Sequence, residues 1–184
     1  PPRDVLLTVG QEILEATMSY RSRWFEYLVY RPLLEQYFKE DPGFRWEAAP
    51  KPRLTERTYN KDYWTRFKTW SEEEKLERTL ARDWVLTEAE PCFDAADVAR
   101  LGRDLLVQQS TVTNAAGIRW LRGHFPNHRI HTVIFKEDAP MHIDATFVPV
   151  RPGLALSNRQ RKPLTPEMVE LFKKNDWEII ECAK

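Results

Sequence analysis

The chain is poor in the residues that would make its chemistry easy to read. It has two cysteines, Cys92 and Cys182, far apart, with no Cys-x-x-Cys pair. That excludes a disulfide framework and a cysteine metal motif, and makes a reducing compartment the default. Histidine is equally scarce, at His124, His128, His131 and His142. The first two are four apart, but Pro126 lies between them and denies them the shared helix face a metal pair would use. Charge of either sign is not in excess, with 28 basic against 28 acidic residues. This argues against a nucleic-acid binder or a membrane-surface protein. No apolar run is long enough for a transmembrane helix. The opening Pro1-Pro2-Arg3-Asp4 has no basic region followed by an apolar one, so it does not read as a signal peptide. It runs directly into Val5-Leu6-Leu7-Thr8-Val9, which reads as a strand, so the chain looks like a piece of something longer.

What is present is a pattern of strand, glycine turn, strand, helix and strand, repeated three times. In the first copy, strands at 4–9 and 12–16 flank Gly10-Gln11, a helix starts near Arg21, and 44–48 is the third strand. Pro32 should kink or divide that helix. In the second, strands at 94–98 and 104–109 flank Gly102, a helix over 114–125 has Thr113 or Asn114 as N-cap, and 129–135 alternates as a strand. In the third, 144–150 and 154–157 flank the turn dipeptide Pro152-Gly153, a helix spans 166–174 with proline in its first turn, and 177–182 closes the unit. Residues 50–89 are expected to be an insertion packed on the domain edge. They carry the aromatics Tyr59, Tyr63, Trp64, Phe67 and Trp70, then a charged helix over 71–83 that opens with a capping box, Ser71 and Glu74. Aromatics among lysine and arginine can also stack on bases, a reading the zero net charge disfavours.

Each unit's first strand carries aspartate: Asp4, then Asp94 and Asp97, then Asp144. Acidic residues are depleted in strands. Two readings stand. They are turn formers held by backbone N–H groups, or they converge from equivalent places onto one cationic ligand. Glu90-Pro-Cys-Phe-Asp94-Ala-Ala-Asp97 and Pro140-Met-His142-Ile-Asp144 set a carboxylate and an imidazole among small or apolar neighbours. Such a pair commonly runs a general base. A nucleophile to accompany it is not evident.

The residues Pro2-Arg3-Asp4, Arg21-Ser22-Arg23, Phe25-Glu26-Tyr27, Ala49-Pro50-Lys51-Pro52, the 90–97 segment, Gly102-Arg103-Asp104, Thr113-Asn114, Gly117-Ile118, Trp120 and Pro140 to Phe147 together resemble the arginine amidinotransferases, nearly end to end. The relatives include arginine:glycine amidinotransferase and enzymes of guanidino natural-product pathways. The resemblance implies a pentein fold, an α/β propeller of five ββαβ modules, of which about three are present here. It also implies transfer of an amidino group from arginine to an amine, glycine being the expected acceptor, through an amidino-cysteine, with ornithine released and no metal or organic cofactor needed.

On this resemblance His142 matches the general acid/base and Asp94 the carboxylate that orients it. Asp4 and Asp144 match the carboxylates that hold the guanidinium, and Arg161 a position that pairs with the donor's α-carboxylate. Asp97 belongs to the motif as a cap or buttress. Neither Cys92 nor Cys182 sits in the family's nucleophile context, a glycine-rich segment with histidine before the cysteine, so both are expected to pack. The attacking cysteine is therefore expected outside these residues, in a longer chain or a complementing one; a homo-oligomer is compatible with either. Ala139 stands where glycine-specific relatives carry asparagine, which bears on the acceptor. Animal relatives are mitochondrial and bacterial ones cytoplasmic. The rivals are a hydrolase of the same superfamily, releasing citrulline, and an inactive module that binds arginine or a partner.

Overall fold

A computed structural model describes residues 2–158 and 164–182. It holds three ββαβ units, each with its own three-stranded sheet. The first begins with a single helical turn, α1 (Pro2–Val5), followed by β1 (Leu6–Val9), β2 (Glu12–Glu15), α2 (Arg31–Glu40) and β3 (Arg45–Ala48). A connecting stretch then contains α3 (Tyr63–Phe67) and α4 (Glu72–Leu80). The second unit is β4 (Val98–Leu101), β5 (Asp104–Gln108), α5 (Ala115–His124) and β6 (Arg129–Val133). The third is β7 (Phe147–Arg151), β8 (Leu154–Ser157), α6 (Pro166–Lys174) and β9 (Glu178–Glu181). In every sheet the second strand is central, antiparallel to the first and parallel to the third. The helix is the crossover that the parallel pairing requires.

Local chemistry sets these elements. Gly10 and Gly102 adopt φ of +60° and +67° at the first turn position of two-residue hairpins, where any other L-residue is strained. Asn114 caps α5 by accepting from the Gly117 N–H at 2.8 Å, and Thr165 caps α6 ahead of Pro166. The capping box at Ser71 and Glu74 forms in both directions.

Two expectations need correction. The first strand of each unit starts later than its apolar neighbours suggest. Asp4 lies in α1, Asp94 and Asp97 at the start and end of a 3-10 turn (Ala95–Asp97), and Asp144 in another 3-10 turn (Ile143–Ala145). The aspartates thus occupy helical turns preceding the strands, where the absence of ladder pairing lets their side chains leave the sheet. The helix expected from Arg21 is instead two 3-10 turns, Arg21–Arg23 and Glu26–Tyr30, and α2 begins only at Arg31. Pro32 explains the break, because it fits the first turn of a helix and not its interior.

The second sheet lies between two cores. Val98, Leu105 and Val107 pack with Leu7, Leu14 and Phe93 on one side. Ala99 and Leu106 pack with Phe147, Met168 and Phe172 on the other. Strand alternation sends neighbouring side chains of β4 and β5 to opposite faces, and both faces are covered. A third, smaller cluster joins the connecting stretch to the rest: Leu54, Tyr63, Val85, Leu86 and the fully buried Cys92, with Trp24, Tyr59, Phe67 and Trp70 around them. The aromatic run at 59–70 therefore contributes to this packing, and so does Cys92.

Candidate active site

The site assembles where the turns before β1, β4 and β7 meet. Asp4, Asp94 and His142 come from three different units and are all buried. The His142 imidazole lies between two carboxylates, with Nε2 3.2 Å from Asp94 Oδ2 and Nδ1 3.9 Å from Asp4 Oδ1. His142 holds φ at +61°, a backbone conformation a non-glycine residue adopts only when its surroundings impose it. The imposition is visible on one side of it: the Pro140 carbonyl accepts from both the Thr111 N–H, at 3.0 Å, and the Thr111 hydroxyl, at 3.2 Å.

Asp94 is fixed by its neighbours in sequence. The Phe93 N–H donates to the Thr17 hydroxyl at 2.6 Å, and that hydroxyl donates to the Phe93 carbonyl at 2.9 Å. The Cys92 N–H donates to Asn114 Oδ1 and the Asn114 N–H to the Cys92 carbonyl, both at 3.0 Å. The Phe93 ring stacks on Trp120, 5.8 Å between centroids. Asp97 lies beneath, fully buried, with Oδ2 accepting from the Ser110 and Thr113 hydroxyls at 2.6 Å each. Thr113 also accepts from the Asp94 N–H at 3.3 Å, which ties the two aspartates through one hydroxyl.

Two arginines complete the arrangement. Arg23 Nη2 donates to Asp4 Oδ2 at 2.9 Å, and its Nη1 lies 3.6 Å from Asp94 Oδ2. Glu26 grips the outer edge of the same guanidinium, at 2.7 Å to both Nε and Nη2. Arg3 pairs with Asp144 and lies 3.5 Å from Asp4 Oδ1. The structure thus brings Asp4, Asp94 and His142 into direct register. Asp144 is more exposed and joins them through Arg3. Arg161 lies outside the described residues. Sequence reasoning gives Arg3 and Arg23 no role; Arg23 enters it only within Arg21-Ser22-Arg23, among the residues that carry the resemblance.

The electrostatics follow from burial and company. Burial pushes the Asp94 carboxyl up, and His142 and Arg23 pull against that rise. Burial lifts Asp97 to about 7, opposed by its two hydroxyl donors. For His142 burial acts downward, but the Asp94 hydrogen bond and the charges of Asp97, Asp4 and Asp94 outweigh it and hold the imidazole above its usual 6.5. Burial, then Asp94, raises the Tyr20 phenol despite Arg23. Asp4 Oδ1 and Asp94 Oδ1 are buried and make no hydrogen bond among the described residues. Anionic oxygens so placed favour a cation with N–H donors. No group of histidine, cysteine and carboxylate among the described residues has the arrangement of a metal site.

No family model matches the chain. Curated proteins do. It is 47% identical over 180 residues to the mitochondrial glycine amidinotransferase of Xenopus tropicalis, covering 97% of this chain and 40% of that protein. It is 42% identical to the L-arginine:L-lysine amidinotransferase of Pseudomonas savastanoi pv. phaseolicola, covering all of this chain and 46% of the other. Among solved structures, the SxtG amidinotransferase of saxitoxin biosynthesis in Microseira wollei superposes with a TM-score of 0.80 at 37% identity, over 99% of this chain and 48% of that one. The chain belongs to the amidinotransferase family. Its ββαβ units are pentein modules. The inosamine-phosphate amidinotransferase of Streptomyces griseus agrees, with a TM-score of 0.77 at 38% identity over 100% of this chain and 46% of the other. DDAH from Pseudomonas aeruginosa, at 16% identity and a TM-score of 0.60, shares the fold. The chain spans under half the length of these amidinotransferases. Among the described residues no helix is long and apolar enough to cross a membrane.

Proposed function

We propose that these residues form the donor-binding and acid/base part of an enzyme that transfers the amidino group of L-arginine to an amine, with glycine as the first acceptor to test. The observation that carries the reading is the burial of Asp4 and Asp94 on either side of one imidazole. In this mechanism a cysteine thiolate from outside the chain attacks the guanidinium carbon. Asp4 and Asp144 hold the guanidinium nitrogens, and Arg161 is assigned to the donor's α-carboxylate. The carbon–nitrogen bond to ornithine breaks as His142, in its cationic form, gives a proton to the departing amine. The neutral imidazole then takes a proton from the incoming amine, which attacks the amidino carbon and expels the thiolate. Asp94 orients the ring and favours its charged state. A histidine held above its usual pKa begins in the form the first half needs. Residues 50–89 are an insertion in this domain. The compartment is cytoplasmic, or mitochondrial if the source is an animal, and the attacking cysteine comes from the same polypeptide or a complementing copy.

The test is to supply the intact parent polypeptide with arginine and glycine and follow ornithine. His142→Ala should lower turnover by about 10²–10⁴-fold, the usual weight of a general acid/base. Ornithine formation within tenfold of the unaltered protein overturns the role given to His142. Citrulline in place of ornithine overturns transfer in favour of hydrolysis.

A further inference from the structure

The side chains around His142 close into a ring. Arg23 touches Asp4 on one side and Asp94 on the other, at 2.9 and 3.6 Å. Asp4 faces Nδ1 of His142 and Asp94 faces Nε2, at 3.9 and 3.2 Å. Going round, the charges alternate: guanidinium, carboxylate, imidazole, carboxylate. Two carboxylates facing one imidazole repel, and burial together with the Asp4 charge pushes the Asp94 carboxyl up. One cation shared between them removes the conflict. A two-armed guanidinium can do this from a single position, whereas a lysine ammonium is a point charge.

Arg23 is itself restrained. Glu26 engages Nε and Nη2 in the bidentate geometry that fixes a guanidinium plane, which leaves the inner edge directed at the two aspartates. Glu26 lies three residues on, across the break between the two 3-10 turns, so the irregular backbone at 21–30 presents both residues to the site. Glu26 and Asp4 hold Arg23 charged more firmly than an ordinary arginine, against the effect of burial. The other titratable groups facing the ring are Asp97 below, Tyr20 beside Asp94, and Arg3 between Asp4 and Asp144.

We propose that Arg23 is a positioning residue that, clamped by Glu26, holds Asp4 and Asp94 as a matched pair of anions on the two sides of His142. It deepens the amidinotransferase reading by saying what keeps the donor-binding and histidine-orienting carboxylates apart and ionised. It also accounts for a cation inside a site meant for a cationic substrate. Arg23 is directed at Asp4 Oδ2 and Asp94 Oδ2, while Oδ1 of each is without a hydrogen bond among the described residues.

The deciding measurement is a titration made without substrate, so its result does not depend on whether the protein makes ornithine; the kinetic profile is a second readout. The parent polypeptide is labelled with ¹³C at the aspartate carboxyls, and the Asp94 resonance, assigned with Asp94→Asn, is titrated. Arg23→Gln should move the Asp94 titration upward by about one pH unit or more, as expected for losing a unit charge 3.6 Å from a buried carboxylate. Arg23→Lys, which keeps charge but not reach, should move it by less than half as much. In the same proteins the acid limb of the kcat/KM profile for arginine should rise by the same amount, and Arg23→Lys should keep a raised KM. An Asp94 titration unchanged in folded Arg23→Gln overturns the proposal. If the glutamine variant does not fold, Glu26→Gln is read instead. It releases the clamp, the Asp94 titration should rise by a smaller, measurable step, and no movement overturns the proposal.

Discussion

Gly117 is the position at which helix propensity and tertiary packing give opposite answers. It lies in the first turn of α5, and replacing glycine with alanine inside a helix ordinarily stabilises by about 1 kcal/mol. Here the added Cβ would lie 2.3 Å from the Cys92 carbonyl oxygen and 2.8 Å from its carbon. Carbon and oxygen ordinarily approach no closer than about 3.3–3.6 Å, so helix and loop must separate by about 1 Å. The atoms that would have to move belong to the backbone, so no rotamer can relieve the clash. Separation would stretch two hydrogen bonds at 3.0 Å, from the Cys92 N–H to Asn114 and from the Asn114 N–H to Cys92. These contribute about 1 kcal/mol each, and overpacking adds about 1–3 kcal/mol. Against the propensity gain, Gly117→Ala should be destabilising by about 2 kcal/mol or more. Urea unfolding of the parent protein at fixed pH measures this as a lowered midpoint with unchanged slope. The same displacement would move Asp94, two residues from Cys92, so turnover should fall more than stability accounts for. An equal or higher midpoint would refute the claim that this glycine is needed for the close approach of α5 to the loop that carries Asp94.

Asp97 gives a pH dependence. Its carboxyl is raised from 3.8 to about 7 by burial, so the folded state binds its proton more tightly than the unfolded state. That contribution to stability is complete below pH 3.8 and is lost as pH rises toward 7. Denaturation midpoints between about pH 4 and 7 should therefore fall more steeply in the unaltered protein than in Asp97→Asn, and parallel curves would contradict this account. Burial also pushes the Cys92 thiol up to about 12, whereas Cys182 is exposed. A thiol-reactive disulfide reagent at pH 8 should modify Cys182 promptly and reach Cys92 only in denaturant, and prompt reaction at Cys92 in the folded protein would show the thiol to be accessible.

Much of the architecture was legible because it is local. Turn glycines, Pro166, the Asn114 cap and the Ser71–Glu74 box each set structure within a few residues, and the helix over 166–174 has the bounds expected of it. The strand starts were harder. Val5, Ala95, Ala96 and Ile143 are apolar and buried, and in sequence they look like strand residues, yet they sit in helical turns whose carboxylates are held by partners far along the chain. Partners at such distance leave no periodic trace. The same reason hid Arg23. Nothing in its neighbourhood distinguishes it from Arg21, whose Nε turns instead to the Leu54 carbonyl. Only the meeting of residues 4, 94 and 142 makes one of these arginines indispensable to charge balance.

Because β4 and β5 give alternate side chains to two separate cores, the hairpin at Gly102 behaves as an indexing device. Inserting or deleting one residue there would hand each core the other's side chains in a single step, swapping Leu106 for Leu105 and Val107. Changes in length should therefore be disastrous at this short bend, even though it lies outside the candidate site.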